Sequence, residues 1–325
     1  MKLVSDQTLS QLKRQEQRHS HHDVWKIRQR KRRRRQIWYW IIGTVGIIIL
    51  ILIVMGGYGL YNFRNAAQNS YYPAKRVHLR NPQTQIRKKG ALSILFMGTN
   101  TQNLVNHKGP ANTMILSTIN KQTGKTTMTN LPGNVKVKDH GQAMPLSRVY
   151  QKSGTATAIK SVQNFMKVPV DYYVLSDAKG LAKTAEQVGG IKITADQSFT
   201  SQGIRFKKGQ AMLMKEKQVR AYLKNSATMH NKQVLTALFD KIAHHPLDPQ
   251  AANSLSNDVH TDLSFNDLER LAIHYRGAVQ NKQHVSLGGS QKQTLSKVTK
   301  DPHYQRLSPQ QKQKALQVIR QNLGM

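Results

Sequence analysis

The sequence predicts an α/β fold, with a mixed central sheet between helical layers, carried behind one N-terminal transmembrane helix. Three observations support that expectation. Residues Ile37 to Phe63 contain no charged side chain. Downstream, short apolar runs typical of buried strands alternate with segments of helical period. The 325 residues hold 50 Lys and Arg against 16 Asp and Glu, a net charge of +34, and no Cys.

This composition removes several classes of function. A hydrophobic fraction of 38% is too high for a disordered basic tail. The single long apolar run excludes a multi-spanning transporter. The lack of Cys excludes a disulfide scaffold, a thiolate metal site and a Cys nucleophile. The excess of base calls for an anionic partner: nucleic acid, phospholipid headgroups or a polyanionic glycan.

A bilayer core takes about 20 apolar residues as a helix, so residues 37–63 span with length to spare. Trp38, Tyr39 and Trp40 at one end, and Tyr58 and Tyr61 at the other, fit interfacial aromatic belts. The basic block Lys26–Arg35 lies immediately upstream, so the positive-inside rule places a tail, residues 1–36, in the cytoplasm and everything after the span outside. The apolar run exceeds the roughly 7–15 residues of a signal-peptide core. It reads as a single-pass signal anchor in the cell membrane, with cleavage near Ala66-Ala67 as the alternative. Residues 1–36 carry 12 basic and 3 acidic side chains, which leaves 38 and 13, or +25, beyond them. That external charge is not explained by topology, and it lies on the wrong side of the membrane for DNA, so no nucleic-acid partner is expected.

Residues 64–90 are polar and basic with Pro73 and Pro82, and read as a stalk. The folded domain is expected over 91–245, with a C-terminal helical extension over 246–325 packed on it or following it. Leu92–Met97, Thr113–Ile119, Thr126–Leu131 and Asp171–Leu175 read as strands. Ala158, Ile159, Val162, Phe165 and Met166 recur at helical spacing. A further helix runs from about Asp177 to Val188, stopped by Gly189-Gly190, and Ile191–Ile193 starts another strand. Helices are expected around Lys215–Leu223 and Lys232–Ile242, and from about Ser264. The last helix opens with Ser308 as N-cap, Pro309 at the first helical position and Gln311 to close a capping box.

Ile94–Gln102, Asn112–Ile119, Leu131–Val135, Val168–Val174, Val188–Ile193, Phe206–Gly209, Val219–Lys224, Gln233–Leu235 and Thr261–Phe265 follow one another over roughly residues 91–275. In this order they resemble the extracellular domain of the LytR-CpsA-Psr family, membrane-anchored envelope proteins of mostly Gram-positive bacteria. The resemblance implies cell-wall biogenesis: transfer of a teichoic acid or a capsular or exopolysaccharide from a polyprenyl-pyrophosphate carrier to peptidoglycan. It also implies the partners: the anionic glycopolymer, its lipid-linked precursor, peptidoglycan and the membrane.

Cleaving a pyrophosphate link builds negative charge on oxygen, which calls for arginine forks, a divalent metal, and carboxylates to hold it or to take a proton. The family pattern supplies Asp and Arg after the first strand, then Arg-Ser-Asp-Thr, then Pro-Arg-Asp, then an arginine cluster. Here the equivalent positions are Asn100 and Gln102, then Pro110-Ala111-Asn112-Thr113, then Pro132-Gly133-Asn134, and Lys224, with His230 at one of the lost arginines. Amides neither act as general bases nor hold Mg²⁺ as carboxylates do, and Lys does not replace the bidentate Arg fork. The leading expectation is therefore a catalytically degenerate member that binds polymer or its lipid-linked precursor. Two alternatives stand beside it: a phosphotransferase working through an altered site with Mg²⁺ or Mn²⁺, recruiting Arg148, Lys152, Arg205 or Lys208, and a non-catalytic partner or regulator of an active paralogue. No cofactor is expected unless that site is active. His244-His245 is a further constellation, read as a solvated helix end.

Overall fold

The computed structural model describes residues 61, 64–65, 67–88, 90–99, 104, 109–225, 227–244, 259–287, 304–305 and 307–325. The chain divides into Met1–Leu60 and Tyr61–Met325, and every described residue belongs to the second unit. The expected cytoplasmic tail, and the transmembrane helix apart from Tyr61, lie outside the described residues. Among the described residues no helix is long and apolar enough to cross a membrane.

The strand β1 (Leu92–Thr99) is apolar on both faces: Leu95 and Met97 enter one buried cluster, while Ile94 and Phe96 pack on the other side. Such a strand needs cover from both directions. It sits between β2 (Ala111–Asn120), antiparallel, and β6 (Tyr172–Asp177), parallel. β3 (Lys125–Leu131) returns antiparallel beside β2. The edges are β11 (Val259–Thr261), antiparallel to β6, and β12 (Lys282–Ser286), parallel to β3, giving the order β11-β6-β1-β2-β3-β12.

One helical layer is α2 (Leu146–Met166) with α8 (Pro309–Leu323), which bury Val149, Ile159, Val162, Ile319 and Leu323 against Leu95, Met97, Met114 and Leu116. The opposite layer has two parts. α3 (Ala178–Gln187), α4 (Glu216–Asn225) and α5 (Ala227–His244) cover Ile115 and Met128. α1 (Pro82–Arg87), α6 (Phe265–His274) and α7 (Arg276–Gln280) cover Leu92, Ile94 and Ile119 through Ile86, Tyr275 and Ala278. Three small ribbons complete the fold: β4 (Lys136–Asp139) with β5 (Gln142–Pro145), β7 (Ile191–Thr194) with β10 (Ala211–Met214), and β8 (Phe199–Ser201) with β9 (Ile204–Phe206).

Local chemistry sets the boundaries. The carboxylate of Asp177 accepts from the Gly180 N–H at 2.6 Å and starts α3, and Ser264 with Asp267 forms a reciprocal capping box on α6. α2 is broken at Gly154, whose φ of 77° and ψ of −175° suit only glycine.

Three expectations are corrected. Residues 64–90 do not form a free stalk. Ala67, Ser70 and Ile86 are buried, Tyr71 bridges Thr261 at the β11 edge, and Arg76 and Arg80 hold Asp262 and Asp171. Arginines that look solvent-directed in sequence are here largely covered members of ion pairs. Residues 246–325 are not solely a helical extension, since they supply both edge strands. β12 contains one apolar residue, Val285, and β11 only three residues, so neither shows strand alternation. Finally, Ser308 is the N-cap of α8 and Pro309 opens it, as expected, but Ser308 makes no side-chain capping bond; it is exposed, so the first N–H groups are open to solvent.

Candidate functional site

Parallel pairing of β1 with β6 brings their carboxyl ends to one edge, with Thr99 opposite Asp177. In α/β sheets, ligand sites form outside such carboxyl ends. β1 leads here into Asn100 and Gln102, which lie outside the described residues. Across from it the register of β2 slips: Gly98 faces Thr113 and Thr99 faces Ala111, leaving Asn112 as the extra residue of a β-bulge. Bulges re-aim side chains beside sites, and Asn112 is half-buried there. A Cβ on Gly98 would lie 3.4 Å from Thr113 Cβ and 3.6 Å from Leu235 Cδ1, so α5 closes on the end of β1.

After β3 the chain turns through Pro132-Gly133-Asn134. The Ser147 N–H donates to the Gly133 carbonyl at 2.8 Å, and the Leu146 N–H to that of Val135 at 3.0 Å. These bonds press the first turn of α2 onto the loop. A Cβ on Gly133 would lie 3.1 Å from Ser147 Cβ and 3.7 Å from the Asn112 carbonyl oxygen. Asn112, Gly133-Asn134 and the start of α2 therefore meet at one corner. Asn134 is exposed, and its carbonyl accepts from the Gln305 N–H at 2.9 Å. Lys136, Lys138, Arg148 and Lys152 are exposed on the elements flanking this corner, and Lys152 is steadied by Gln142 Oε1 at 2.6 Å.

Lys224 is exposed at the end of α4, and Arg205 and Lys208 are exposed on and after β9. His244 ends α5, and His245 lies outside the described residues. His230 is fully buried, its ring centroid 4.0 Å from that of Tyr222 and 5.0 Å from that of Phe199. Its Nδ1–H donates to the Tyr222 carbonyl at 2.8 Å, and Nε2 lies 3.7 Å from Asp196 Oδ1. These described contacts join it to the aromatic cluster under the β8–β9 ribbon and not to the Asn112 corner.

Sequence reasoning passed over two buried groups at the strand edge. Asp177 is the carboxylate nearest Thr99 in the parallel register, and its place between a strand and a helix is the signal that marks it as a cap. Tyr150 in α2 donates to the Leu104 carbonyl at 3.2 Å; burial, and then the charge of Asp177, push its phenol up to about 12. Nothing in the sequence distinguishes Tyr150 from any other helical aromatic.

A hard divalent cation needs oxygen anions. The described family-equivalent positions offer only amides, Asn112 and Asn134, and the carboxylate of Asp177 is engaged as a helix cap. Among the described residues no group of three or more His, Asp or Glu is placed to hold a metal. Among the described residues, the donors at this corner do not fit a Mg²⁺ or Mn²⁺ site.

The chain is 26% identical over 278 residues to the polyisoprenyl-teichoic acid–peptidoglycan teichoic acid transferase TagU of Bacillus subtilis, covering 80% of this chain and 89% of the relative. It is 28% identical over 271 residues to TagV of the same organism, covering 75% and 69%. The crystal structure of Bacillus subtilis TagV superposes with a TM-score of 0.62 at 24% identity, over 73% of this chain and 98% of that one. A structure of TagT bound to LI-WTA superposes with a TM-score of 0.59 at 18% identity, over 78% and 96%. At these identities the structures establish the fold. The LytR_cpsA_psr family pattern matches residues 57–317, and the chain belongs to that family.

Proposed function

We propose that this chain is a membrane-anchored envelope protein, with its N-terminus cytoplasmic and its folded domain outside, that serves the attachment of anionic glycopolymer to peptidoglycan by binding the polymer or its lipid-linked precursor without transferring it. The relatives named as teichoic acid transferases support the polymer class. The observation that carries the non-catalytic reading is the Asn112–Gly133–Asn134 corner. The family's carboxylates are amides there, and the space beside Gly133 is taken by Ser147. The exposed Lys136, Lys138, Arg148 and Lys152 offer the charge that a polyphosphate or acidic glycan requires.

The test uses the full chain in detergent or nanodiscs. Binding to purified teichoic acid is expected, weakening steeply as ionic strength rises from about 0.05 to about 0.5 M. With a polyprenyl-pyrophosphate-linked glycan, peptidoglycan and Mg²⁺ or Mn²⁺, no transfer is expected. Metal-dependent turnover overturns the reading.

A phosphotransferase working through an altered site is favoured by one observation: a carboxylate, Asp177, remains at the strand edge opposite Thr99. On that reading transfer occurs, and Asp177→Asn or Arg148→Gln abolishes it while the fold is retained.

A further inference from the structure

Residues 71–80 cross the domain surface as an extended strap. Its start is stitched to the sheet: the Thr261 N–H donates to the Ser70 carbonyl at 2.8 Å and the Tyr72 N–H to that of Thr261 at 2.7 Å, so Tyr71 pairs in parallel at the β11 edge. Beyond this point the side chains alternate with the two-residue period of extended chain. The inward row is partly covered: Ala74 packs on the core, Arg76 bonds Asp262 and Arg80 bonds Asp171, while Tyr72 stacks on His260 at 3.8 Å and stays 45% exposed, and His78 is exposed. The outward row is Tyr71, Pro73, Lys75, Val77 and Leu79, with Val77 85% and Leu79 62% exposed.

This polarity is the reverse of what water favours. The arginines point in, and the apolar side chains point out. Among the described residues, eight large hydrophobic side chains are exposed; five of them, Tyr61, Tyr71, Tyr72, Val77 and Leu79, lie within residues 61–79. Apolar exposure concentrated in one strip marks an interaction surface.

Chain connectivity identifies the occupant. The uncharged run ends at Phe63, and only residues 64–70 separate it from Tyr71, a reach of about 25 Å even at full extension. No Asp or Glu occurs from residue 24 through 138, so Arg64 and Lys75 stand among no opposing acids in their own segment. Aromatic and aliphatic side chains with a few cations match the headgroup zone of an anionic bilayer.

We propose that the outward row of the strap, Tyr71, Lys75, Val77 and Leu79, lies in the headgroup region of the membrane, so that the domain rests on the bilayer through its β11 edge. The proposal rests on the reading that residues 37–63 span that membrane. Because Arg76 and Arg80 clamp the strap from beneath, it cannot lift from the domain without opening both ion pairs, and the contact sets the domain's orientation.

The chain contains no Cys, so single labels can be introduced cleanly. Full-length Val77→Cys, Leu79→Cys and, as the control, Lys207→Cys each receive an environment-sensitive fluorophore and are reconstituted in vesicles of phosphatidylcholine and phosphatidylglycerol. Nitroxide lipids labelled in the headgroup region are expected to quench the labels at 77 and 79 and to spare the label at 207. An alkaline carbonate wash of the same vesicles tests the anchor separately. Loss of the chain to the wash overturns the spanning reading and this proposal with it. Retention of the chain, with labels at 77 and 79 unquenched and open to aqueous iodide, overturns the proposal alone. Self-quenching that rises with protein density, without lipid quenching, assigns the row to a second copy and also overturns it.

Discussion

Arg80 grips the buried carboxylate of Asp171 at two points, Nε to Oδ1 at 2.7 Å and Nη2 to Oδ2 at 2.5 Å. Asp171 also accepts from the backbone N–H and the hydroxyl of Ser93, at 2.8 and 2.9 Å. A residue twelve positions before the first strand is thus joined to the loop that leads into β6. Removing one member leaves the other charge buried and unpaired, which costs about 3 kcal/mol. Asp171→Asn and Arg80→Met are each expected to lower stability by about that amount, read from the urea midpoint at unchanged m. A shift below about 0.5 kcal/mol would mean that the pair is solvated and does not clamp the strap.

The same geometry predicts where the folding unit begins. A fragment of residues 61–325 retains Arg76 and Arg80 together with the buried Ile86, whereas a fragment of residues 91–325 leaves Asp262 and Asp171 without their arginine partners. The shorter fragment is expected to melt at lower temperature and over a broader range, measured by circular dichroism. Equal melting of the two would show that the strap adds nothing to the fold.

That boundary marks what sequence reading can and cannot reach. β1 and β2 are legible because burial on both faces favours long apolar runs, and β3 because β-branched threonines recur in it; α3 is bounded by Asp177 and Gly189-Gly190, whose local chemistry acts at short range. The strap is not legible. Arg76 and Arg80 look like any solvated base until Asp262 and Asp171, about 90 or more residues away in sequence, are brought beneath them. The site divides in the same way. Asn112 and Asn134, where the resemblance implies carboxylates, are visible in sequence, but the bulge that carries Asn112 depends on register with β1. His230 lies in an aromatic cluster with Phe199 and Tyr222, which only the tertiary contacts disclose.

Gly133 allows a direct test of whether the corner can be rebuilt. With Ser147 Cβ 3.1 Å from where its Cβ would sit, even Gly133→Ala forces the first turn of α2 to move. Overpacking of this kind costs about 1 kcal/mol or more. Gly133→Arg is expected to cost more than Gly133→Ala and to recover stability when combined with Ser147→Gly. Asn112→Asp with Asn134→Asp, lacking the arginine, is expected to yield no transfer. Thermal melts and a transfer assay of the four variants check both statements.

Asp139 links the β4–β5 ribbon to the break in α2. Its buried carboxylate accepts from Ser153 Oγ at 2.5 Å and faces His140 Nδ1 at 2.7 Å. The Ser153 hydrogen bond holds this carboxyl below its ordinary value of 3.8, against the opposing effect of burial and with help from His140. A folded value below the unfolded one means that the stabilisation is present above pH 3.8 and is lost as pH falls through the folded value. The stability difference between the wild type and Asp139→Asn is therefore expected to hold steady near neutrality and to shrink below pH 3.8. Denaturant titrations at a series of pH values decide this, and a gap that widens on acidification would contradict the assignment.

Asn322 carries the last prediction, because it is a buried amide at the end of α8 where an apolar residue would suit the helical stripe. Its Nδ2 donates to the Thr118 carbonyl at 2.8 Å and to the Thr118 hydroxyl at 3.1 Å, while its own carbonyl accepts from Asn120 Nδ2 at 2.8 Å. Together these bonds fasten the C-terminal helix to the end of β2. Asn322→Leu keeps the volume but leaves the Thr118 carbonyl without that donor inside the protein, a cost of about 1–3 kcal/mol. The Asn120 bond to the backbone carbonyl at 322 survives the substitution, so Asn120→Ala in the Asn322→Leu background is expected to add a further loss of about 1 kcal/mol. A double-mutant cycle read by urea unfolding separates the two. If Asn322→Leu is neutral or stabilising, the helix is held by Ile319 and Leu323 alone and the polar fastening has no energetic role.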